Sequence, residues 1–193
     1  MGIEIELKYR ATPEQQQAVL KACGAAAHTI SMETTYYDTA DRQLSARKIT
    51  LRRRLENGVS VCTLKTPASG NARGEWDCLR DTIEEVIPEL CKLADREDLL
   101  ELLGGGVVPV CGARFTRQAA DIQTADFTAE LALDNGVLLG GSREMPLCEI
   151  ELELKSGNPE AMRVYMQLLA AVNGLVPEKK SKFRRAMDLA EGV

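Results

Sequence analysis

The sequence predicts an α+β fold built on an antiparallel sheet, and three observations predict it. Many segments alternate apolar and polar residues with period two, the pattern of a strand with two unlike faces. Short turns such as Glu56-Asn57-Gly58 join neighbouring segments, as an antiparallel pair requires. The order runs strand, helix, many strands, helices, strands, helices, without the regular alternation of βαβ winding.

The first element, Glu4-Ile5-Glu6-Leu7-Lys8, places Glu4, Glu6 and Lys8 on one face and Ile3, Ile5, Leu7 and Tyr9 on the other. Thr12 to Gly24 reads as a helix with Thr12 as N-cap, Pro13 at its first position, Gln15 closing a capping box and Gly24 at its end. Strand character resumes by Thr35-Tyr36-Tyr37. Lys48 to Lys65 then reads as two strands around the Asn57-Gly58 hairpin, with Lys48, Thr50, Arg52 and Arg54 sharing a face and Thr63 and Lys65 sharing one on the next strand. A third strand is predicted around Arg73, Glu75 and Asp77, with Trp76 facing the other way into packing. The helical stretch from about Thr82 to Leu103 contains Pro88, which is expected to separate two helices.

From Val107 to Leu154 several further strands are predicted, including separate ones around Val107–Gly112 and Ala113–Gln123, and a tight turn at Asn135-Gly136. Thr128, Glu130, Ala132 and Asp134 align on one side. Cys148 to Lys155 repeats the opening rhythm, with Glu149, Glu151, Glu153 and Lys155 on one face and Ile150, Leu152 and Leu154 on the other. Asn158-Pro159 starts a helix towards Asn173-Gly174, and a basic helix follows Pro177.

With 193 residues and 45% hydrophobic content the chain is long enough for a sizeable core, and residues 1–193 are expected to form one domain. The patterned, charged start gives no signal peptide, and no apolar run reaches membrane-spanning length, so a cytoplasmic location with no membrane partner is expected. The net charge of −5 argues against a general nucleic-acid coat. Six cysteines without a CxxC pair read as reduced core thiols, and the single histidine, His28, at a surface or cap position, leaves no zinc cluster or Ser-His pair. Ser142 and Ser156 likewise lack a base. Acid–base chemistry therefore falls to carboxylates, lysines or metal-bound water.

Two Glu-rich strands placed side by side repel: at ~4 Å and an effective dielectric near 20, like charges cost on the order of 4 kcal/mol. A hard divalent cation, Mg2+ or Mn2+, would relieve a carboxylate-only site. Basic strands opposite it would suit a polyanion. Closing the sheet would turn these faces inward and leave the apolar faces for the helices.

These residues resemble the CYTH domain, or triphosphate tunnel metalloenzyme, family, and the inorganic triphosphatase group most. The resemblance rests on an ordered series: EIELK, TYYDT, LRRR, TLK, RGE, FTR, ELALD, CEIELELK and SKF. It implies a closed, eight-stranded antiparallel barrel. It further implies that Glu4, Glu6, Glu149 and Glu151, with Glu130 as a further contributor, bind Mg2+ or Mn2+, and that Lys8, Arg52, Arg54, Lys65, Arg73, Arg117 and Lys182 hold the phosphates. Glu4, Glu6 and Lys8 would carry the chemistry. The implied reaction is hydrolysis of a linear triphosphate, inorganic tripolyphosphate first. Thiamine triphosphatase, class IV adenylyl cyclase and a non-catalytic polyphosphate- or nucleotide-binding module use the same tunnel and remain alternatives. With three Phe, four Tyr and one Trp, an aromatic pocket for an organic substrate is not obvious from the sequence.

Overall fold

The computed structural model describes residues 2–67 and 73–193, with side chains from residue 5 onward. The strands are β1 (Gly2–Glu4), β2 (Glu6–Arg10), β3 (His28–Asp38), β4 (Thr50–Glu56), β5 (Val59–Pro67), β6 (Arg73–Leu79), β7 (Val108–Gln123), β8 (Phe127–Gly140), β9 (Arg143–Gly157) and β10 (Val176–Pro177). The helices are α1 (Pro13–Cys23), α2 (Gln43–Ala46), α3 (Ile83–Leu93), α4 (Asp98–Leu103), α5 (Pro159–Asn173) and α6 (Lys182–Glu191). All ten strands among the described residues join one antiparallel sheet in the order β1-β6-β5-β4-β3-β7-β8-β9-β2-β10.

This corrects the expectation of an eight-stranded closed barrel, because the hydrogen-bonded order is open. The reason lies at Ile5. There the first strand divides: Gly2–Glu4 pairs with β6, and Glu6–Arg10 pairs with β9. Since Glu4 and Glu6 are two residues apart, at most about 7 Å of chain separates the two margins. The chain crosses from one margin to the other at Ile5, whose carbonyl accepts from Leu154 N of β9 at 2.9 Å.

Curvature sorts the two faces of every strand. Leu51, Cys62, Leu64, Trp76 and Cys78 point outward into one cluster with Ile83, Val86, Leu90 and Leu99 of α3 and α4. Leu131, Leu133, Ile150 and Leu152 point outward under α1 and α5, against Val19, Met162 and Met166. Each such buried aliphatic contributes about 1.5–3 kcal/mol. The charged faces therefore point inward. α6 packs over the remaining opening, contributing Ala186 to a cluster with Met32, Phe115, Leu138 and Leu147. No helix among the described residues is long and apolar enough to cross a membrane.

Local expectations hold at α1, where the Thr12 side chain accepts from Gln15 N, Gln15 Oε1 accepts in turn from Thr12 N, and Gly24 caps the end at φ 63. Three differ. Pro88 lies inside α3 without dividing it. Loss of one backbone bond there costs about 3 kcal/mol, which burial of Ile83, Val86, Leu90 and Cys91 offsets. The helical break comes later, around Asp95 at φ 53. Val108–Gln123 is a single strand, and Asn135-Gly136 makes no turn but runs through the middle of β8, the actual turn lying at Gly141 (φ 58). Lys48, at φ 59, stands outside β4.

Gly136 is required by close approach rather than by turning. A Cβ there would lie 2.2 Å from the Arg114 carbonyl oxygen and 2.5 Å from Phe115 Cα. Gly136→Ala is expected to destabilise the protein by about 1–3 kcal/mol in urea unfolding. An unchanged midpoint would show that β7 and β8 can separate there at no cost.

Candidate active site

The inward faces of eight strands, β2 to β9, and the start of α6 enclose a cavity of about 310 Å3. Its wall includes Glu6 and Lys8 from β2, Arg52 and Arg54 from β4, Lys65 from β5, Arg73 and Glu75 from β6, and Arg117 from β7. Glu130, Glu151, Glu153 and Lys182 complete it from β8, β9 and α6. Register explains the convergence: Glu6 lies opposite Glu153, which lies opposite Glu130, while Lys8 lies opposite Glu151. One wall is acidic and the wall from β4 and β5 is basic.

The basic wall is crowded. Arg52 Nη2 stands 3.3 Å from Glu75 Oε1 and Lys65 Nζ 3.1 Å from Glu75 Oε2, so one carboxylate is shared between two cations. Arg54 donates to Glu56 Oε1 at 2.7 Å. Burial, and then the nearby Arg52, press the Arg54 guanidinium below its ordinary pKa. An anion entering the cavity would relieve both. Arg73 lines the cavity, yet its Nη2 is engaged by the Lys48 carbonyl at 2.8 Å.

At the acidic end lies a cluster of Asp134, Glu149 and Glu151, whose carboxylate oxygens come within 4.8 Å of one another. Asp134 and Glu149 are fully buried. The repulsion expected between Glu-rich strands is answered by the chain's own cations. Lys182 Nζ lies 2.7 Å from Asp134 Oδ2 and 2.9 Å from Glu151 Oε1, and also contacts Glu149 Oε1. Arg117 holds Asp134 with two bonds, 2.7 and 2.8 Å, and reaches Glu151 at 2.9 Å. Arg185 pairs with Glu149 from a second side. Beneath, the Phe115 ring faces both cations, with Lys182 Nζ 5.4 Å and Arg117 Cζ 5.9 Å from its centroid.

Protonation follows from this arrangement. Burial alone would lower Lys182 and Arg117, but Asp134, Glu151 and their neighbours overcome it and hold both well above their ordinary values. Burial would likewise raise Glu151, yet Lys182, Arg117 and Lys8 bring its carboxyl well below the usual range. On Glu149 burial prevails and pushes the carboxyl up. Lys8 donates to Glu6 Oε1 at 2.6 Å.

The CYTH domain family model matches residues 2–187. The chain belongs to the CYTH domain family. Among curated proteins it is 30% identical over 190 residues to an inorganic triphosphatase of Haemophilus influenzae, covering 94% of this chain and 53% of that one. It is 26% identical over 152 residues to a thiamine-triphosphatase of Macaca fascicularis, covering 78% and 61%. The chain thus spans about half to three-fifths of these relatives' lengths. A solved structure of a putative adenylyl cyclase from Hippeastrum, described as revealing a dominant triphosphatase activity, superposes with a TM-score of 0.65 at 19% identity, over 100% of this chain and 96% of that one. At that identity the likeness concerns the fold.

Of the residues singled out from the sequence of this CYTH domain, Glu6, Lys8, Arg52, Arg54, Lys65, Arg73, Arg117, Glu130, Glu151 and Lys182 all line the one cavity. Glu149 does not; it is sealed between Lys182 and Arg185. Glu130 stands apart from the carboxylate cluster, 3.8 Å from Arg117. The Glu4 side chain lies outside the described residues. Asp134 and Arg185 were missed. Asp134 shares its strand face with Glu130, a signal present in the alternation, whereas nothing in the sequence distinguishes Arg185 from the adjacent Arg184.

Because the folded pKa of Glu151 is depressed, its contribution to stability is present above the unfolded value of about 4.3 and is lost as pH falls through the folded value. Glu151→Gln leaves Lys182 and Arg117 short of a partner. It should destabilise the metal-free protein by about 3 kcal/mol at pH 7, and the gap to the parent should close in strong acid. Chemical denaturation across pH measures this, and a gap independent of pH would contradict the assignment.

Proposed function

We propose that this protein is a metal-dependent triphosphatase that cleaves a linear triphosphate, inorganic tripolyphosphate foremost, to pyrophosphate and phosphate. The observation that carries the reading is the pair of opposed walls in one cavity: Arg52, Arg54 and Lys65 face the carboxylates of Glu6, Glu130, Glu151 and Glu153. A triphosphate in a metal complex carries charge of both kinds and matches both walls at once. Membership of the CYTH family and the two triphosphatase relatives support it. The working unit is a single domain of residues 1–193, acting in the cytoplasm.

The donor set fits Mg2+ or Mn2+, since the clustered carboxylates offer hard oxygen ligands within 4.8 Å of each other. Asp134, Glu149 and Glu151 would hold the ion, with Glu4, Glu6 and Glu130 as further acidic contributors on the neighbouring strands. When bound, it would supply Lewis-acid neutralisation of the phosphate oxygens. Arg52, Arg54, Lys65, Arg73, Arg117 and Lys182 would bind the phosphate chain and stabilise the charge that spreads over the transferring phosphoryl group. Lys8 fixes the Glu6 carboxylate, orienting it to accept a proton from the attacking water for in-line displacement.

An organic triphosphate is the second reading. Three of the eight aromatic residues, Tyr36, Phe115 and Phe183, line the cavity, with the Tyr36 and Phe183 rings 5.1 Å apart between centroids. Such a wall can take the apolar part of thiamine triphosphate or a nucleotide.

One substrate panel tests these readings: tripolyphosphate, ATP, GTP and thiamine triphosphate, each with Mg2+, Mn2+ or EDTA, scored for phosphate and cyclic AMP release. Metal-dependent phosphate release from tripolyphosphate above the others is expected. Cyclic AMP would indicate a cyclase, and saturable binding without turnover would indicate a binding module. Arg52→Ala and Arg54→Ala should each reduce kcat/KM by at least about 100-fold, a transition-state loss near 2.7 kcal/mol. Arg53→Ala should change it little, since Arg53 points away from the cavity and donates to Ser60 Oγ at 2.9 Å. Equal losses at all three positions would refute the assignment of the strand faces.

A further inference from the structure

We infer that Lys182 is a tethered cation that keeps free metal out of the carboxylate cluster until a triphosphate draws it away, so that metal and substrate enter together. The inference rests on the metal-dependent reading above and concerns how that site is regulated.

Charge within the cluster is already balanced. Asp134, Glu149 and Glu151 bring three negative charges, and Lys182, Arg117 and Arg185 bring three positive ones in direct contact with them. Lys182 alone touches all three carboxylates, occupying the oxygen atoms that a divalent ion would need. A dication added beside the ammonium would meet like charge at contact distance, which disfavours it strongly where water is excluded. Metal alone therefore competes with an internal ligand whose local concentration is permanently high.

The three cations differ in freedom to leave. Arg117 is fixed by the bidentate pair with Asp134, and Arg185 is braced between Glu149 and Glu178. Lys182 is the first residue of α6, directly after the N-cap Ser181, on a four-carbon stem, and it lines the same cavity as Arg52, Arg54 and Lys65. Phosphate oxygens arriving among those residues give the ammonium an alternative set of anions without requiring α6 to move. Its departure frees carboxylate oxygens for the ion that the triphosphate brings. By linkage, each ligand then favours the other.

The test is Mn2+ binding to metal-free protein without substrate, followed by the EPR signal of free Mn2+, for the parent, Lys182→Met and Lys182→Gln. Both variants are expected to bind Mn2+ at least ten-fold more tightly than the parent. Equal or weaker binding would overturn the inference. If the variants lose their fold in metal-free buffer, far-UV circular dichroism decides: Mn2+ should restore the fold by replacing the ammonium, and failure to restore it would count against the proposal as firmly as unchanged affinity. The parent in parallel, heated with Mn2+ plus tripolyphosphate, tests the underlying reading. No rise in melting temperature there would refute the metal–triphosphate site itself, whereas a rise in the parent with unchanged Mn2+ affinity in the variants would refute only the role of Lys182.

Discussion

Compensation of charge inside a curved sheet is the constraint on which the rest of this structure depends. Carboxylates and ammonium groups taken out of water are costly unless each finds a partner and further hydrogen bonds. Here Lys182 stands among Asp134, Glu149 and Glu151, with Arg117 and Arg185 completing the balance. The partners come from the consecutive strands β7, β8 and β9 and from α6, which follows them only after α5 and β10. Correct pairing of those four elements is therefore a condition for burying any one of these charges.

The same constraint dictates where the apolar residues go. Strands that present charge inward must present their aliphatic faces outward, and those faces need cover. α1 and α5 supply it over Leu131, Leu133, Ile150 and Leu152, while α3 and α4 supply it over Leu51, Leu64 and Cys78. The helices thus stabilise the sheet from outside and leave the interior to polar chemistry. α6 is the exception: its Ala186 and Met187 pack while Lys182, one turn earlier, reaches into the cavity.

Opposition of a basic and an acidic wall links the fold to its proposed chemistry. Glu75 serves both Arg52 and Lys65, and burial, then the neighbouring Arg52, presses on Arg54, so cations crowd the basic side. The acidic side is balanced by Arg117, Arg185 and a lysine on a flexible stem.

Period-two alternation was enough, by itself, to determine which residues share a face, because strand geometry sends every second side chain to one side whatever the neighbouring strand. Arg52 with Arg54, Glu6 with Lys8, and Glu149 with Glu151 were legible for that reason, as was the capped helix α1. Turn signals were less dependable. Asn135-Gly136 has the composition of a hairpin, but Gly136 serves the close approach of Phe115 on the next strand, a contact that only the packed sheet creates. Pro88 ends helices in isolation and is carried within α3 by burial on the sheet. Likewise the sequence determined that carboxylates would crowd together, but not that Lys182 and Arg185 would be the cations among them. They lie more than thirty residues from Glu149 and Glu151, and only the docking of α6 across the end of the sheet brings their charges within reach.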